Sequence, residues 1–356
     1  MISEPLSFLS SLITDQLGEP DLSQLTLSDW RLLEFTSDHH GVAPLIFTKL
    51  NRFGYLGQLP GQVQSFYRDQ YYQSAVDNIL LLDELNRILT PLRDAGIAVM
   101  LLKGISLVEK IYPDPALRPM TDIDLMVHSD DLSKVTKIFR RLGYTEQKST
   151  YHLVFSRGSP KNLVVEIHWN MINSNLATPI SEEEWIWNDA VFDGIAYRLR
   201  LEKELLYLAG HISIQHQDPV PRLIWLYDLH LLIEKNMNTL DWDFLLQNTR
   251  LLGWGRGLSS TLLKTVEFFP SEINHQIPGI LPDQVDLEIG SREFQRIIHR
   301  TLRNMNFWRG IKTIKGLVFP GFHYMQWRYH LASRKAILLY YPRRWFELVR
   351  VVIKKR

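Results

Sequence analysis

The sequence contains no cysteine, which excludes a disulfide framework and a thiolate metal site. It also contains no run of about 18 consecutive apolar residues, the length that a membrane-spanning helix needs. Residues 1–20 lack the basic region and the apolar stretch of a secretory signal. Hydrophobic residues make up 45 % of the chain and charged residues 22 %, as in proteins that bury a core. We therefore expect a globular, cytoplasmic protein without a transmembrane segment.

Internal repeats and low-complexity segments are also absent, and the 356 residues divide by pattern into three regions. Residues 1–95 place apolar side chains at three- and four-residue spacing, which predicts helices. Residues 96–200 mix apolar runs, glycines and amphipathic stretches, which predicts a compact unit of strands and helices. Residues 201–356 return to a helical pattern and end in a basic, aromatic tail. We predict an α+β fold, with a small mixed-sheet core, N-terminal helices and a larger C-terminal helical region.

The central region holds the most informative pattern. It predicts, in order, a strand over 97–104, a helix over 105–112, a strand over 121–128, a helix over 130–144, and strands over 151–158 and 162–171. The last two strands are close enough in sequence to form a hairpin.

Two aspartates lie on the strand with the sequence TDIDLMVH. Because side chains alternate along a strand, Asp122 and Asp124 project from the same face. Two carboxylates that close repel each other unless a cation compensates, and a divalent metal such as Mg²⁺ prefers oxygen ligands. The alternative is a pair of carboxylates at a strand end in water, held by Arg118 or by a helix N-terminus.

A third acid strengthens the case for metal. Glu166 lies inside the apolar sequence NLVVEIHWNM, where an unpartnered carboxylate is unfavourable. If its strand neighbours the one with Asp122 and Asp124, the three acids form a site for one or two metals. His168 lies two residues further on the same face, where it either binds metal, orients Glu166, contacts a nucleotide or is a structural side chain.

The turn in LLKGIS is a candidate phosphate site. A buried strand ends at Gly104, which allows close backbone approach, and the free N–H groups of a helix start suit an anion. Ser106 offers a hydroxyl, and Lys103 offers positive charge. The alternative is an ordinary strand-to-helix turn with a solvated lysine.

These motifs occur in an order that resembles the DNA polymerase beta-type nucleotidyltransferase superfamily. The segments LLKGISLVEKIYPDPALRPMTDIDLMV and VEIHWNM are similar, within it, to a group of uncharacterised bacterial nucleotidyltransferases. The resemblance implies a metal-dependent enzyme that uses Mg²⁺, with Mn²⁺ as an alternative, to transfer a nucleoside monophosphate from an NTP with release of pyrophosphate. It implies that Asp122 and Asp124 are metal ligands and that Glu166 is a third ligand or the base. The usual Gly-Ser pair is replaced by Lys103-Gly104, so Gly104 and Ser106 are the implied triphosphate contacts.

Arg118 and Asp228 are two further candidates. The fork of Arg118 suits phosphate oxygens, but it can equally form a salt bridge with Asp122 or Asp124. Helices after the core in this superfamily often close over the nucleotide, so Asp228 and Arg222 are expected either to meet base, ribose or acceptor, or to be an exposed acid and a helix cap. The five-residue spacing of His211 and His216 does not suit a ligand pair on one α-helix face, and Asp-His-His at 38–40 receives no role.

The tail over 327–356 carries nine Lys or Arg residues against one acid, with aromatic residues between them. This composition favours a polyanion, either RNA or an anionic membrane surface, although a final helix packed on the body is an equal alternative. For a nucleotidyltransferase, the acceptor is expected to be a small molecule, a protein hydroxyl or an RNA end. The tail favours an anionic macromolecule among these. The rival interpretation is a non-catalytic nucleotide-binding or scaffolding protein that docks to a membrane or partner through the tail.

Overall fold

A computed structural model describes residues 4–14, 22–147, 152–158, 162–171, 182–216, 220–270 and 342. Within these ranges the chain forms eleven α-helices and seven strands, so the predicted mixed α and β fold is confirmed. The basic tail over 327–356, apart from Pro342, lies outside the described residues, and its role stays a prediction.

The N-terminal region is helical as expected. Its four helices are α1 (Pro5–Ile13), α2 (Leu27–His39), α3 (Ala43–Arg52) and α4 (Gly61–Asp94). Helix α2 begins with a reciprocal capping box, because Thr26 and Asp29 each accept a hydrogen bond from the other residue's backbone N–H. Helix α4 ends just before Gly96, whose φ of +70° reverses the chain toward the sheet.

The middle of the chain supplies the sheet and the helices that cover it. Its elements are β1 (Met100–Leu101), α5 (Lys103–Ile111), β2 (Ile123–Met126), α6 (Leu132–Arg141), β3 (Thr145–Gln147), β4 (Leu153–Arg157), β5 (Leu163–His168), α7 (Glu182–Trp187), β6 (Val191–Phe192) and β7 (Tyr197–Arg198).

These strands form one mixed sheet in the order β3-β4-β5-β2-β1-β7-β6. Strands β2 and β5 are parallel neighbours, and β4 pairs with β5 as the predicted antiparallel hairpin. Strands β1 and β2 are shorter than predicted, and β2 begins after Asp122 rather than before it. The centre of the sheet is buried on both faces, as the apolar sequence of β2 predicts.

The chain after the sheet is again helical as far as it is described. The elements are α8 (Leu201–Gly210), a π-helical turn (His211–His216), α9 (Leu223–Asn236), α10 (Trp242–Leu252) and α11 (Gly255–Phe268). No helix in the described ranges has the combined length and apolar character that a bilayer crossing requires.

Two apolar cores organise the described residues. One joins helices α1, α2 and α3 to helices α8, α9, α10 and α11. The other lies between the sheet, helix α6 and the C-terminal half of α4. The N-terminal helices therefore share a core with the helices that follow the sheet, and the boundaries at 95 and 200 stay a prediction.

Candidate active site

Two acids and a histidine meet where β2 and β5 run side by side. Asp124 and Glu166 are directly paired in the parallel register, so their side chains leave the same face of the sheet. The Nε2 atom of His168 is 2.8 Å from Oδ1 of Asp124 and 3.5 Å from Oε2 of Glu166. One ligand atom of each residue lies within 4.8 Å of the other two. The expected neighbourhood of the two strands is confirmed, and His168 contacts the acids directly.

Asp122 lies just before β2 and lines the same cavity. Burial, followed by the negative charges of Asp124 and Glu166, raises the pKa of Asp122 to about 6. A divalent cation fits this set of carboxylates, because added positive charge relieves their repulsion. Asp122 lies outside the cluster that Asp124, Glu166 and His168 form, so its place among the metal ligands stays a prediction.

Lys103 supplies positive charge to these acids. Its Nζ donates to Oδ1 of Asp124 at 2.8 Å, and its side chain is 13 % exposed. Burial lowers the pKa of Lys103, but Asp124 outweighs burial and the net shift is upward. Burial likewise raises the pKa of Asp124, but Lys103 and His168 outweigh it and the net shift is downward. Asp124 is therefore ionised, the alternative of a solvated lysine is wrong, and a role of Lys103 in nucleotide binding stays a prediction.

Gly104 and Ser106, predicted as a pair, have different surroundings. Gly104 lines the cavity, and a Cβ at this position would lie 3.2 Å from Met120 and 3.3 Å from a guanidinium nitrogen of Arg118, so the close approach favours glycine. Ser106 is buried on another face of α5, where its hydroxyl donates to Oε1 of Glu204 at 2.6 Å. The hydroxyl of Ser106 is therefore engaged by α8, and its contact with the triphosphate stays a prediction.

Arg118 and Asp228 form a buried pair beside the cavity. The Nη2 atom of Arg118 donates to Oδ2 of Asp228 at 2.8 Å, and Tyr112 donates to the other carboxylate oxygen at 2.6 Å. Neither predicted salt bridge of Arg118, with Asp122 or with Asp124, forms. The alternative of an exposed acid is also wrong, because Asp228 is only 1 % exposed. Both residues of the pair line the cavity, so a role of either in nucleotide binding stays a prediction.

The turn after α8 brings two histidines together. The Nε2 atoms of His211 and His216 are 3.1 Å apart, and Trp225 of α9 packs against both rings. Our spacing argument assumed an α-helix, in which residues five apart diverge. The segment is a π-helical turn, and its i→i+5 geometry places these residues on one face. The spacing argument against a ligand pair therefore does not apply to this turn, and the rejection of a zinc site there stays a prediction.

One cavity of about 290 Å³ is lined by the acids, by the two histidines and Trp225, and by Lys103, Gly104, Arg118 and Asp228. We call Asp122, Asp124 and Glu166 the sheet wall, and His211, His216 and Trp225 the helical wall. The sheet wall carries negative charge that suits a cation. The helical wall offers flat aromatic surfaces and ring nitrogens.

His152 is a cavity residue that the sequence analysis missed. It precedes β4, and its Nε2 lies 3.5 Å from Oε2 of Glu166. Hydrogen bonds from His152 and then His168 lower the pKa of Glu166 to about 2, so this acid is ionised. The hairpin register pairs Leu153 with Ile167, which sets His152 across from His168. Two histidines at matching ends of a predicted hairpin were the signal in the sequence.

The chain is similar to nucleotidyltransferases both in its sequence and in its fold. A family model described as uncharacterised nucleotidyltransferase matches residues 26–270, a range that includes every residue of both walls. A search of curated proteins finds no match. Among solved structures, the chain is similar to ANT(2")-Ia in complex with adenylyl-2"-tobramycin, at 13 % identity over 51 % of this chain and 92 % of that one, with a TM-score of 0.30. It is also similar to an antigenic nucleotidyltransferase-like protein from Paracoccidioides brasiliensis, at 14 % identity over 57 % of this chain and 94 % of that one, with a TM-score of 0.35.

Proposed function

Because this chain belongs to the uncharacterised nucleotidyltransferase family and is a nucleotidyltransferase enzyme, as its motifs indicated, we propose that it moves a nucleoside monophosphate from an NTP to a hydroxyl acceptor. Pyrophosphate is the other product. The reaction depends on Mg²⁺, with Mn²⁺ as an alternative, and the acceptor is a small molecule, a protein or an RNA end. Family membership favours this reaction over the non-catalytic binding alternative.

The observation that carries the proposal is the direct pairing of Asp124 and Glu166 on parallel strands that face the cavity. This register supports a metal site, because two carboxylates and the His168 ring nitrogen converge within 4.8 Å. The amino group of Lys103 balances part of the negative charge of this set through its contact with Asp124. When bound, the metal would neutralise the phosphates and align the acceptor hydroxyl with the α-phosphorus.

The residues of the sheet wall then have separate tasks. Asp122 and Asp124 would hold the metal, and His168 fixes the orientation of Asp124 through its 2.8 Å hydrogen bond. Glu166 serves either as the third ligand or as the base that takes the proton of the acceptor hydroxyl. Gly104 lets the phosphates approach the start of α5, where the backbone N–H groups of the first turn are free of intrahelical partners.

Transfer of label tests the proposal. The protein is incubated with Mg²⁺ and each α-³²P-labelled NTP, with and without total cellular RNA. Label on RNA, on the protein or on a small molecule, together with release of pyrophosphate, supports nucleotidyl transfer and identifies the acceptor class. The doubly substituted Asp122→Ala/Asp124→Ala protein should transfer nothing.

The matched control is Asp130→Asn, which removes an exposed acid six residues after Asp124. It should transfer label as the wild type does. Equal transfer by the wild type and the double variant would contradict the assignment of the sheet wall. Release of the γ-phosphate in place of pyrophosphate would contradict the reaction type.

A further inference from the structure

Three basic side chains, Lys103, Arg118 and Arg222, line the cavity. Lys103 is paired with Asp124, and Arg118 is paired with Asp228. Arg222 is half-buried and, among the residues that the structure describes, forms no ion pair with a carboxylate. An unpaired guanidinium in a partly desolvated cavity is a binding site for an anion.

The N-terminal helices hold Arg222 in this position. Its Nε donates to the backbone oxygen of His39 at 3.1 Å, at the end of α2. Its guanidinium also lies 5.7 Å from the ring centroid of Trp225, over the helical wall. The end of α2 and the first turn of α9 therefore both restrict the conformations of the Arg222 side chain.

The same turn caps helix α9. The N–H groups of Leu223 and Ile224 have no partner inside the helix, and His40 accepts from both, with its Nδ1 at 3.2 Å and its backbone oxygen at 3.1 Å. Burial, followed by the charges of His39 and Arg222, lowers the pKa of His40 to about 4, so the ring is neutral and can accept. The Asp-His-His segment, which received no role from its sequence pattern, thus fixes the start of the helix that carries Trp225 and Asp228.

Gly41 completes the arrangement by leaving room. Its φ is +69°, and a Cβ built on it would lie 2.9 Å from Nη2 of Arg222 and 3.1 Å from Ile224. A side chain at position 41 would therefore displace the guanidinium as well as strain the turn. Gly54 has the same backbone conformation, with a φ of +70°, but nothing lies within 4 Å of its missing Cβ. The chain thus provides its own control for the strain.

We propose that Arg222 is the phosphate-binding cation of the cavity, and that the turn over residues 39–41 positions it for the β- and γ-phosphates of the NTP. This inference rests on the proposed function. The planar fork of an arginine can bind two phosphate oxygens at once. The acids of the sheet wall would hold the metal, so the metal and Arg222 would both offset the negative charge of the leaving pyrophosphate. The turn at the end of α2 would therefore contribute to substrate binding, although the acids are carried by the sheet region.

Calorimetric titration with inorganic tripolyphosphate and Mg²⁺ tests the role of Arg222, because this probe has no base or ribose. Arg222→Gln should bind the probe at least about tenfold more weakly, and Arg222→Lys should lose less, since it keeps the charge without the fork. The affinity for AMP, which lacks the β- and γ-phosphates, should change less than about twofold. Unchanged affinity of Arg222→Gln for tripolyphosphate overturns the inference, as does an equal loss for AMP, which would place the α-phosphate or the base at Arg222.

Two alanine variants test the turn. Gly41→Ala should weaken tripolyphosphate binding about threefold to tenfold, because it moves the guanidinium. Gly54→Ala, which has the backbone strain without the close contacts, should lose thermal stability but bind as the wild type does. Equal affinities of the two variants overturn the positioning role. If the wild type transfers label but Arg222→Gln binds tripolyphosphate normally, the inference alone fails. If the wild type neither transfers label nor binds tripolyphosphate with Mg²⁺, the proposed function fails with it.

Discussion

The two walls of the cavity are held in place by different means. On the sheet wall, a parallel backbone register pairs Asp124 with Glu166, and His168 reaches Asp124 from 44 residues away. On the helical side, the positions depend on side chains that are much further apart in the chain: Arg118 and Asp228 are separated by 110 residues, and His40 and Leu223 by 183. The acids of the sheet wall are therefore placed by regular strand geometry, whereas helix α9, which carries Trp225 of the helical wall, is held by tertiary contacts. We expect the first to determine the chemistry and the second to determine the shape of the cavity.

The largest effect should come from the sheet wall. Asp124→Asn keeps the shape of the side chain but removes its charge, so the metal loses a ligand and Lys103 loses its partner. We expect kcat/KM to fall by at least about a thousandfold. Steady-state pyrophosphate release measures this, with Asp130→Asn as the control. Near-normal activity of Asp124→Asn would place the chemistry elsewhere in the cavity and remove the distinction between the walls.

A substitution on the helical side of the cavity should lower the stability of the protein. Asp228→Asn leaves Arg118 with an uncompensated charge in a buried position, and breaking a buried pair costs about 3 kcal/mol of unfolding free energy. Urea denaturation measures the loss. Glu234→Gln on the same helix is the control, since its side chain is 47 % exposed and its change should stay within about 0.5 kcal/mol. If Asp228→Asn is as stable as the wild type, the helical wall does not depend on this pair.

The pH dependence of stability should distinguish Asp122, whose pKa is raised, from Asp124 and Glu166, whose pKa values are lowered. Its pKa rises from 3.8 to about 6 on folding without metal, so the folded state binds the proton more tightly than the unfolded state. Its contribution to stability is therefore present at low pH and is lost as the pH rises from about 4 to about 6. Above that window, metal-free Asp122→Asn should be up to about 2 kcal/mol more stable than the wild type, and the difference should vanish near pH 3.

Chemical denaturation at several pH values, with and without Mg²⁺, measures the difference between wild type and Asp122→Asn. Mg²⁺ should stabilise the wild type above pH 6 and affect the variant less. A difference that does not change with pH would mean that neither burial nor the charges of Asp124 and Glu166 raise the pKa of Asp122 on folding.

The same contrast explains which features the sequence could predict. The alternation along β2, the acid in the apolar run of β5 and the hairpin before it together predict that Asp124 and Glu166 are neighbours, because strand geometry is regular. The partners of Lys103 and Arg118 were not predictable in this way. Each partner depends on how α5 and the loop before β2 pack, and periodicity carries no information about the direction of a long side chain.

Local helix geometry set a second limit. The i→i+5 hydrogen bonds of a π-helical turn are rare, and the sequence HISIQH contains no residue that indicates them. On an α-helix, residues five apart lie on different faces, so the contact between the two histidines was not predicted. For Ser106, the sequence predicted the helix but not the packing partner of the side chain, which is Glu204.

The smallest effect should come from His216, and it tests whether the helical wall binds substrate or only shapes the cavity. His216→Asn removes the ring that contacts His211 and Trp225, and a single neutral hydrogen bond contributes about 0.5–1 kcal/mol. We expect a small loss of stability and a loss of NTP affinity of about threefold, with kcat unchanged, because the acids of the sheet wall carry the chemistry in the proposed function. His230→Asn, on α9 but outside the cavity lining, is the control and should leave the affinity unchanged. A large fall in kcat for His216→Asn would instead give the helical wall a part in the chemistry, since a group that only shapes the cavity affects binding before it affects turnover.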